Sequence, residues 1–313
     1  MIPIVDEPSL RRAITPARAV EAMRGAFAAD GEGRTHVPPV INLDIPAARG
    51  EFHIKTAHIA GVPHIAVKVA SGFYDNPGEG LPSGSGLMAV FDAATGLPAA
   101  LLLDNGFLTD IRTGAAGAIA ADYLARQRIT TVGVIGSGIQ ARFQVHCLRV
   151  VRDFTRIVAW SPTRQRLENY CDEMRSEGYD AQPSASAREV CDVADVLITA
   201  TPSKAPLVQS QWLRPGMHVT ALGSDSPGKQ ELDADCLLRA DLVVCDRLSQ
   251  CTTFGELSHA QGAAVHAQLG EIVAGRKPGR TTDEQLTIAD LTGVGFQDTA
   301  IASAALSWIE QSR

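Results

Sequence analysis

The sequence predicts an α/β protein, with a Rossmann-type parallel-sheet domain and a preceding α+β domain, on three observations. A β-branched apolar run, Ile129 to Ile135, leads into Gly136-Ser137-Gly138-Ile139-Gln140-Ala141 and on into a helix-forming segment. Beyond residue 128, apolar runs of strand length alternate with stretches of helix length, as they do where crossover helices join parallel strands. Before residue 128 a helix is followed by five extended runs, so the first part of the chain reads as a domain of its own.

Thr15-Pro16 predicts a helix start, a capping hydroxyl before a residue that needs no N–H partner, and Val20, Met23 and Phe27 then share one face. Extended runs follow at about 37–45, 51–58, 63–70, 87–91 and 98–103, the last two joined by the turn Asp92 to Leu97. Ser71 to Gly86 gathers glycine and proline with Phe73, Tyr74, Asp75 and Asn76 and reads as a loop over a site. Asp110 to Gln127 predicts a helix so rich in Ala and Gly that a neighbour must approach it closely. Strands are expected at 129–135, 156–159, 195–200, 218–222 and 242–246, with helices near 140–151, 163–177 and 186–193. A further helical region is expected from Glu256 to Ala274, and a helix from about Asp298 to Ile309 closes the chain.

The turn at Gly136 suits a dinucleotide pyrophosphate. Gly136 and Gly138 permit a tight turn and close approach of backbone to phosphate, Ala141 is small enough for helix to pack on strand, and the helix start offers unpaired N–H groups. In such a sheet the ligand crevice lies beyond the carboxyl ends of the strands. After 156–159 an NAD-preferring site shows Asp or Glu, but here Ser161, Thr163 and Arg164 offer hydroxyls and a cation, which favours NADP over NAD. Thr201, after 195–200, is placed to line the cofactor. Asp225, after 218–222, is placed to face the nicotinamide, although an Asp among Gly, Ser and Pro also reads as a turn former. Lys68 in a strand and Arg112 on a helix each read, from local setting alone, as solvent-facing residues.

Bulk composition narrows the partners. At 313 residues, 45% hydrophobic and 20% charged, the chain has room for two domains, and its net charge of −7 argues against nucleic acid or an anionic membrane. Small molecules are the expected partners. No apolar run is long enough to span a bilayer and Asp6, Glu7, Arg11 and Arg12 interrupt the N-terminus, so a cytoplasmic location is expected. The six cysteines and eight histidines are scattered without ligand spacing, which predicts reduced thiols and no metal site.

Several motifs in one order make the chain resemble the ornithine cyclodeaminase/mu-crystallin family along essentially its whole length: Val67-Lys68-Val69, Leu108 to Thr113, Gly136 to Ala141, Gly223 to Leu232, Leu269 to Ile272 and Gly293 to Asp298. That resemblance implies a substrate-binding and dimerisation domain, residues 1–127 completed by 289–313, and a Rossmann domain at 128–288. It also implies a homodimer acting on an α-amino or α-imino acid with NAD or NADP. Lys68 and Arg112 would bind the substrate carboxylate, Gly293 would supply backbone near it, and Asp225 would be a partly desolvated acid/base. Thr113, Gly138, Ile139, Gln140, Ser161 and Lys229 would hold the cofactor, with Thr292 grouped beside them.

One departure stands out. Members acting on ornithine carry an arginine shortly after a proline near the end of the first extended run, where this chain reads Pro38-Pro39-Val40-Ile41-Asn42-Leu43. Lys55 is available to compensate, though strand lysines are commonly exposed. The leading expectation is a cyclodeaminase-type enzyme that forms a cyclic amino acid with loss of ammonia. Its alternatives are a ketimine reductase or amino-acid dehydrogenase, and a non-enzymatic mu-crystallin-like binding protein.

Overall fold

The computed structural model describes residues 2–311. In chain order the first elements are β1 (Ile4–Asp6), α1 (Glu7–Ala13), α2 (Pro16–Gly31), β2 (Thr35–His36), β3 (Ile41–Ile45), β4 (Gly50–Ile59), β5 (His64–Phe73), β6 (Gly84–Asp92), β7 (Pro98–Leu103) and α3 (Phe107–Leu124). There follow β8 (Thr131–Ile135), α4 (Ile139–Val151), β9 (Arg156–Trp160), α5 (Arg164–Ser176), β10 (Asp180–Pro183), α6 (Ala187–Val193), β11 (Val196–Thr199) and β12 (Lys204–Val208). The rest are β13 (His218–Ala221), β14 (Gln230–Leu232), α7 (Ala234–Arg239), β15 (Leu242–Cys245), α8 (Leu248–Phe254), β16 (Val265–Gln268), α9 (Leu269–Val273), β17 (Thr287–Asp290) and α10 (Gly295–Gln311). Contacts divide the chain into a first unit, up to Arg112 and from Val294 onward, and a second unit, Thr113–Gly293. These limits differ from the 127/128 and 288/289 boundaries read from the sequence, because α3 begins in the first unit and continues in the second.

The first unit is a sheet in the order β1-β7-β6-β5-β4-β2, with β3 also paired to β4. Thr15 caps α2 by accepting from the Arg18 N–H, Pro16 takes the first helical position, and Val20, Met23 and Phe27 are buried. Phe27 meets Phe296 of α10 edge to face, with ring centres 5.3 Å apart. On β5, Ala66 and Lys68 are buried while Val67 and Val69, pointing the other way, are only half-buried. α10 covers the Lys68 face of the sheet: Thr299 Oγ1 donates to the Ala57 carbonyl and accepts from the Ala66 N–H. Of the expected strand at 37–45 only β3 (Ile41–Ile45) forms, set apart from the short β2 by Pro38-Pro39, where ladder donors are missing. The expected loop at Ser71–Gly86 is shorter, since β5 runs to Phe73 and β6 begins at Gly84.

In the second unit eight strands form one sheet, β10-β9-β8-β11-β13-β17-β15-β16, with every pairing parallel. Strands β8, β11, β13, β15 and β17 are buried at every residue, as central parallel strands covered on both faces must be. The Ala/Gly-rich α3 lies against α4 so closely that a methyl group on Gly117 would overlap the Gln144 side chain, whose Nε2 donates to the Thr113 carbonyl at 2.9 Å. One expectation fails. Glu256 to Ala274 is not a helix but a short 3-10 turn (Glu256–Ser258), β16 and the five-residue α9. Gly262, at φ 89°, ends the first turn, and Val265 then pairs with Val243 of β15. Strands β1, β2, β10, β12, β14, β16 and β17 are additional to those read from the sequence.

Candidate active site

In the first unit, four charged side chains from four elements, β4, β5, α3 and α10, are drawn out of water together. Lys68 and Arg112 are 3% and 4% exposed and Asp298 is fully buried, so the solvent-facing reading of the two cations is wrong. Arg112 Nε donates to Asp298 Oδ1 at 3.0 Å, and Lys68 Nζ lies 3.2 Å from Oδ2. Arg112 Nη1 also donates to Gln297 Oε1 at 2.9 Å. Lys55, directly opposite Lys68 in the β4–β5 ladder, is 8% exposed, which overturns the expectation of an exposed strand lysine. Two lysines facing each other across a ladder repel, so the pair is a cost that packing alone does not explain. Burial pushes Lys68 down to about 7; Asp298 opposes this, while Arg112 and Lys55 add to it. Burial acts to raise Asp298, yet Arg112, Lys68 and Lys55 together hold it below the usual aspartate value. Positive charge exceeds negative around this one carboxylate, which is the condition for receiving a second, external carboxylate.

In the second unit the expected site residues line one edge of the sheet. Gly136 follows β8, Ser161 follows β9, Thr201 follows β11, Asp225 follows β13 and Thr292 follows β17, all at the carboxyl ends of parallel strands. Gly136 adopts φ 120°, and a Cβ there would come 2.6 Å from the Ala200 carbonyl oxygen, so only glycine fits. Gly138 is the N-cap of α4, without a side-chain cap and with open space where a Cβ would stand. Ile139 and Gln140 open that helix, so its first turn presents backbone donors to an anion. Ser161 Oγ accepts from Ser137 Oγ at 3.0 Å. Thr163 is the N-cap of α5 with no side-chain cap bond, and Arg164 is ion-paired with Glu168 on the exposed side of that helix.

A buried set of carboxyl groups braces this edge. Glu231 accepts from Thr199 Oγ1, from the N–H and Oγ1 of Thr201 and from the Gly223 N–H, at 2.6–2.8 Å. Glu256 in turn accepts from the backbone N–H groups of Glu231 and Leu232 at 2.8 and 3.0 Å. Asp290 Oδ2 accepts from the Leu257 N–H at 3.0 Å. Burial raises all three above their ordinary values, Glu231 to about 6, Glu256 to about 8 and Asp290 to about 7. Asp246 accepts from the N–H groups of Thr292 and Gly293 at 2.9 and 2.7 Å, and from Thr292 Oγ1 at 3.0 Å. Gln250 Nε2 completes the hold on Thr292 and Gly293 by donating to Thr292 Oγ1 and the Gly293 carbonyl.

Asp225 stands on the loop that Glu231 anchors and is partly withdrawn from water. Its side chain is 49% exposed and accepts from Lys229 Nζ at 2.7 Å. Lys229, expected at the cofactor, is thus recorded on Asp225, and Thr113 is recorded with its carbonyl on Gln144. Lys68 and Arg112 are brought together within the first unit, whereas Asp225 belongs to the second. The residues that sequence reasoning passed over are Gln297, Asp298, Glu231, Asp246 and Glu256. Signals for three of them were present, since Gln297 and Asp298 end the Gly293–Asp298 motif and Glu231 lies in the Gly223–Leu232 motif. Among the described residues no cluster of potential ligands could hold a metal ion, and no helix is long and apolar enough to cross a membrane.

Comparison with known proteins agrees with this arrangement. An uncharacterised cyclodeaminase of Sinorhizobium fredii is 43% identical over 282 residues, 88% of this chain and 85% of that protein. An archaeal alanine dehydrogenase, solved as a dimer with bound NAD, superposes with a TM-score of 0.92 at 34% identity, covering 99% of this chain and 97% of its own. The Δ1-pyrroline-2-carboxylate reductase of Thermococcus litoralis, solved with NADH and L-proline, gives a TM-score of 0.94 at 28% identity, covering 99% and 98%. The profile of the ornithine cyclodeaminase/mu-crystallin family matches residues 9–311, and this chain belongs to that family.

Proposed function

We propose that this protein is a nicotinamide-dependent enzyme that interconverts an α-imino acid and the corresponding α-amino acid. The observation that carries the reading is the buried surplus of positive charge around Asp298. Lys68 and Arg112 grip the substrate carboxylate, with the planar fork of Arg112 held in orientation by Asp298 and Gln297. With its value lowered to about 7, Lys68 changes charge readily, and an arriving carboxylate favours its charged form. Gly136, Gly138, Ile139 and Gln140 hold the pyrophosphate of the dinucleotide, for which the uncapped start of α4 and the space above Gly138 are suited. When bound, NAD(P)H supplies a hydride to the carbon of the C=N bond, which with a proton gives the amine. Asp225, with Lys229 beside it, holds or delivers that proton at the nitrogen. Ser161, Thr163 and Arg164, with no acid after β9, support use of NADP(H) as well as the NAD(H) found in the solved relatives.

Net reduction is the first reading because the likeness to an archaeal alanine dehydrogenase and to a Δ1-pyrroline-2-carboxylate reductase extends over nearly the whole chain, and the arginine of ornithine-acting members is missing after Pro38-Pro39. Cyclodeamination remains the second reading, supported by the likeness to the cyclodeaminase of S. fredii. The reading includes a homodimer like the archaeal alanine dehydrogenase. Ile4, Ile41, Leu43 and Leu103, exposed by 67%, 60%, 57% and 40%, share the sheet face opposite Lys68 and form an apolar surface suited to a second copy.

The test is an assay of purified protein with NADPH or NADH and either a cyclic imine carboxylate or an α-keto acid with ammonia. Stoichiometric loss of the reduced-nicotinamide absorbance is expected. Ammonia release from ornithine with NAD present and no lasting absorbance change would instead establish the second reading. Cofactor binding without either activity would overturn both.

A further inference from the structure

Gln297 opens a question the clamp leaves unanswered. It sits in the first turn of α10 beside Asp298 and is fully buried. Its Oε1 accepts from Arg112 Nη1 at 2.9 Å, which fixes the orientation of the amide, because the flipped amide would set N–H against N–H. Nε2 is therefore directed to the other side of the same amide, next to the guanidinium, and among the described residues nothing accepts from it. Folded proteins rarely leave such a buried donor unmatched. Its surroundings define the missing acceptor. Lys68 and Arg112 bring further donors, and the carboxylate of Asp298 is ion-paired with both, by a hydrogen bond from Arg112 at Oδ1 and by charge alone with Lys68 at Oδ2. What fits is an anionic group with more than one oxygen.

We propose that Gln297 is a substrate-binding residue whose Nε2 donates to the carboxylate of the amino or imino acid. This assignment rests on the function proposed above, in which Lys68 and Arg112 hold that carboxylate. Gln297 then does two things with one amide: Oε1 sets the plane of the Arg112 fork, and Nε2 adds a donor without adding charge to a site already rich in cations. A neutral donor strengthens the grip on a carboxylate without adding to the charge at Lys68, which a further cation beside Arg112 and Lys55 would do.

Two substitutions test it by steady-state kinetics on the imino acid that the protein reduces. Gln297→Met keeps the length but removes both amide atoms, and KM is expected to rise roughly tenfold to a hundredfold, the scale of a lost hydrogen bond to a charged group, with kcat little changed. Gln297→Glu keeps an acceptor for Arg112 but turns the donor into an anion facing the substrate. Its KM should rise further near neutral pH and recover as acid protonates the new carboxyl, a pH profile that a purely structural role would not produce. Cofactor affinity, read from quenching of protein fluorescence by NADPH, should stay within about twofold of wild type in both, because neither substitution alters the glycine turn and helix start that hold the pyrophosphate. A Gln297→Met protein with unchanged KM, beside a Lys68→Met protein whose KM rises, overturns the role of Gln297 and leaves the clamp standing. Unchanged KM in Lys68→Met as well overturns the clamp and this inference with it. If Gln297→Met does not fold, the pH profile of Gln297→Glu decides alone, and a flat profile refutes the assignment.

Discussion

Lys55, Lys68 and Arg112 in the first unit and Glu231, Glu256 and Asp290 in the second are all withdrawn from water, yet their hydrogen bonding differs in kind. The two glutamates are answered by the protein itself, Glu231 by four donors and Glu256 by two backbone N–H groups, so they act as internal acceptors that pin turns in place, while Asp290 is answered at Oδ2 alone. Lys68 and Arg112 share the carboxylate of Asp298, Arg112 donates also to Gln297 Oε1, and the amide donor of Gln297 has no acceptor among the described residues. Carboxyl groups that collect backbone and hydroxyl donors are scaffolding, and a cluster in which two cations share one carboxylate is suited to be a receptor. The contrast separates what holds the sheet edge in shape from what is left open for chemistry.

The largest effect is expected where the receptor is opened. Arg112→Leu removes the fork and leaves Asp298 to Lys68, and kcat/KM for the imino acid should fall about 10³-fold, the sum of two charge-assisted contacts. NADPH affinity should stay near wild type. A loss confined to thermal stability, with kcat/KM intact, would place Arg112 among the scaffolding groups and erase the contrast. Asp225→Asn should lower turnover roughly 10²-fold, the usual scale for a positioned acid/base, again with cofactor binding retained. Near-normal turnover in that variant would reduce Asp225 to a turn former paired with Lys229.

The same contrast explains what could be seen in the sequence. The strand, glycine turn and helix at Ile129–Val151 were legible because each signal is local, as was the α2 start at Thr15-Pro16. The tight neighbour of the Ala/Gly-rich α3 was legible as well, although not as α4. Burial of Lys68 and Arg112 was not, because alternation fixes which face a residue takes but not what covers it. What covers them is α10, and Asp298 is 186 residues from Arg112 in sequence. The helix expected at Glu256–Ala274 failed for a related reason: the pairing of Val265 with Val243 in β15 overrode a helical pattern. Glu256 gave no local sign, and Glu231 only its place in the Gly223–Leu232 motif, since a carboxyl that accepts from backbone N–H groups resembles any other acid until the turn that supplies them is known.

The smallest expected effect is also the one that probes the scaffold most directly. Burial raises Glu256 from 4.5 to about 8 and Asp290 from 3.8 to about 7 in the folded protein. Between those limits the folded chain keeps protons that the unfolded chain has released, so the stability present below the unfolded values is lost as pH rises through the folded ones. Lys68 acts in the opposite sense, since its value is lowered from 10.5 to about 7 and the unfolded chain binds the extra proton above that point. Glu256→Gln fixes one acid in a neutral form, so its Tm should decline less than that of wild type between about pH 5 and 8, measured by circular dichroism. Equal declines in the two proteins would mean that Glu256 keeps its charge in the fold. Its backbone partners would then be matching an anion, and the division between a neutralised scaffold and a charged receptor would have to be redrawn.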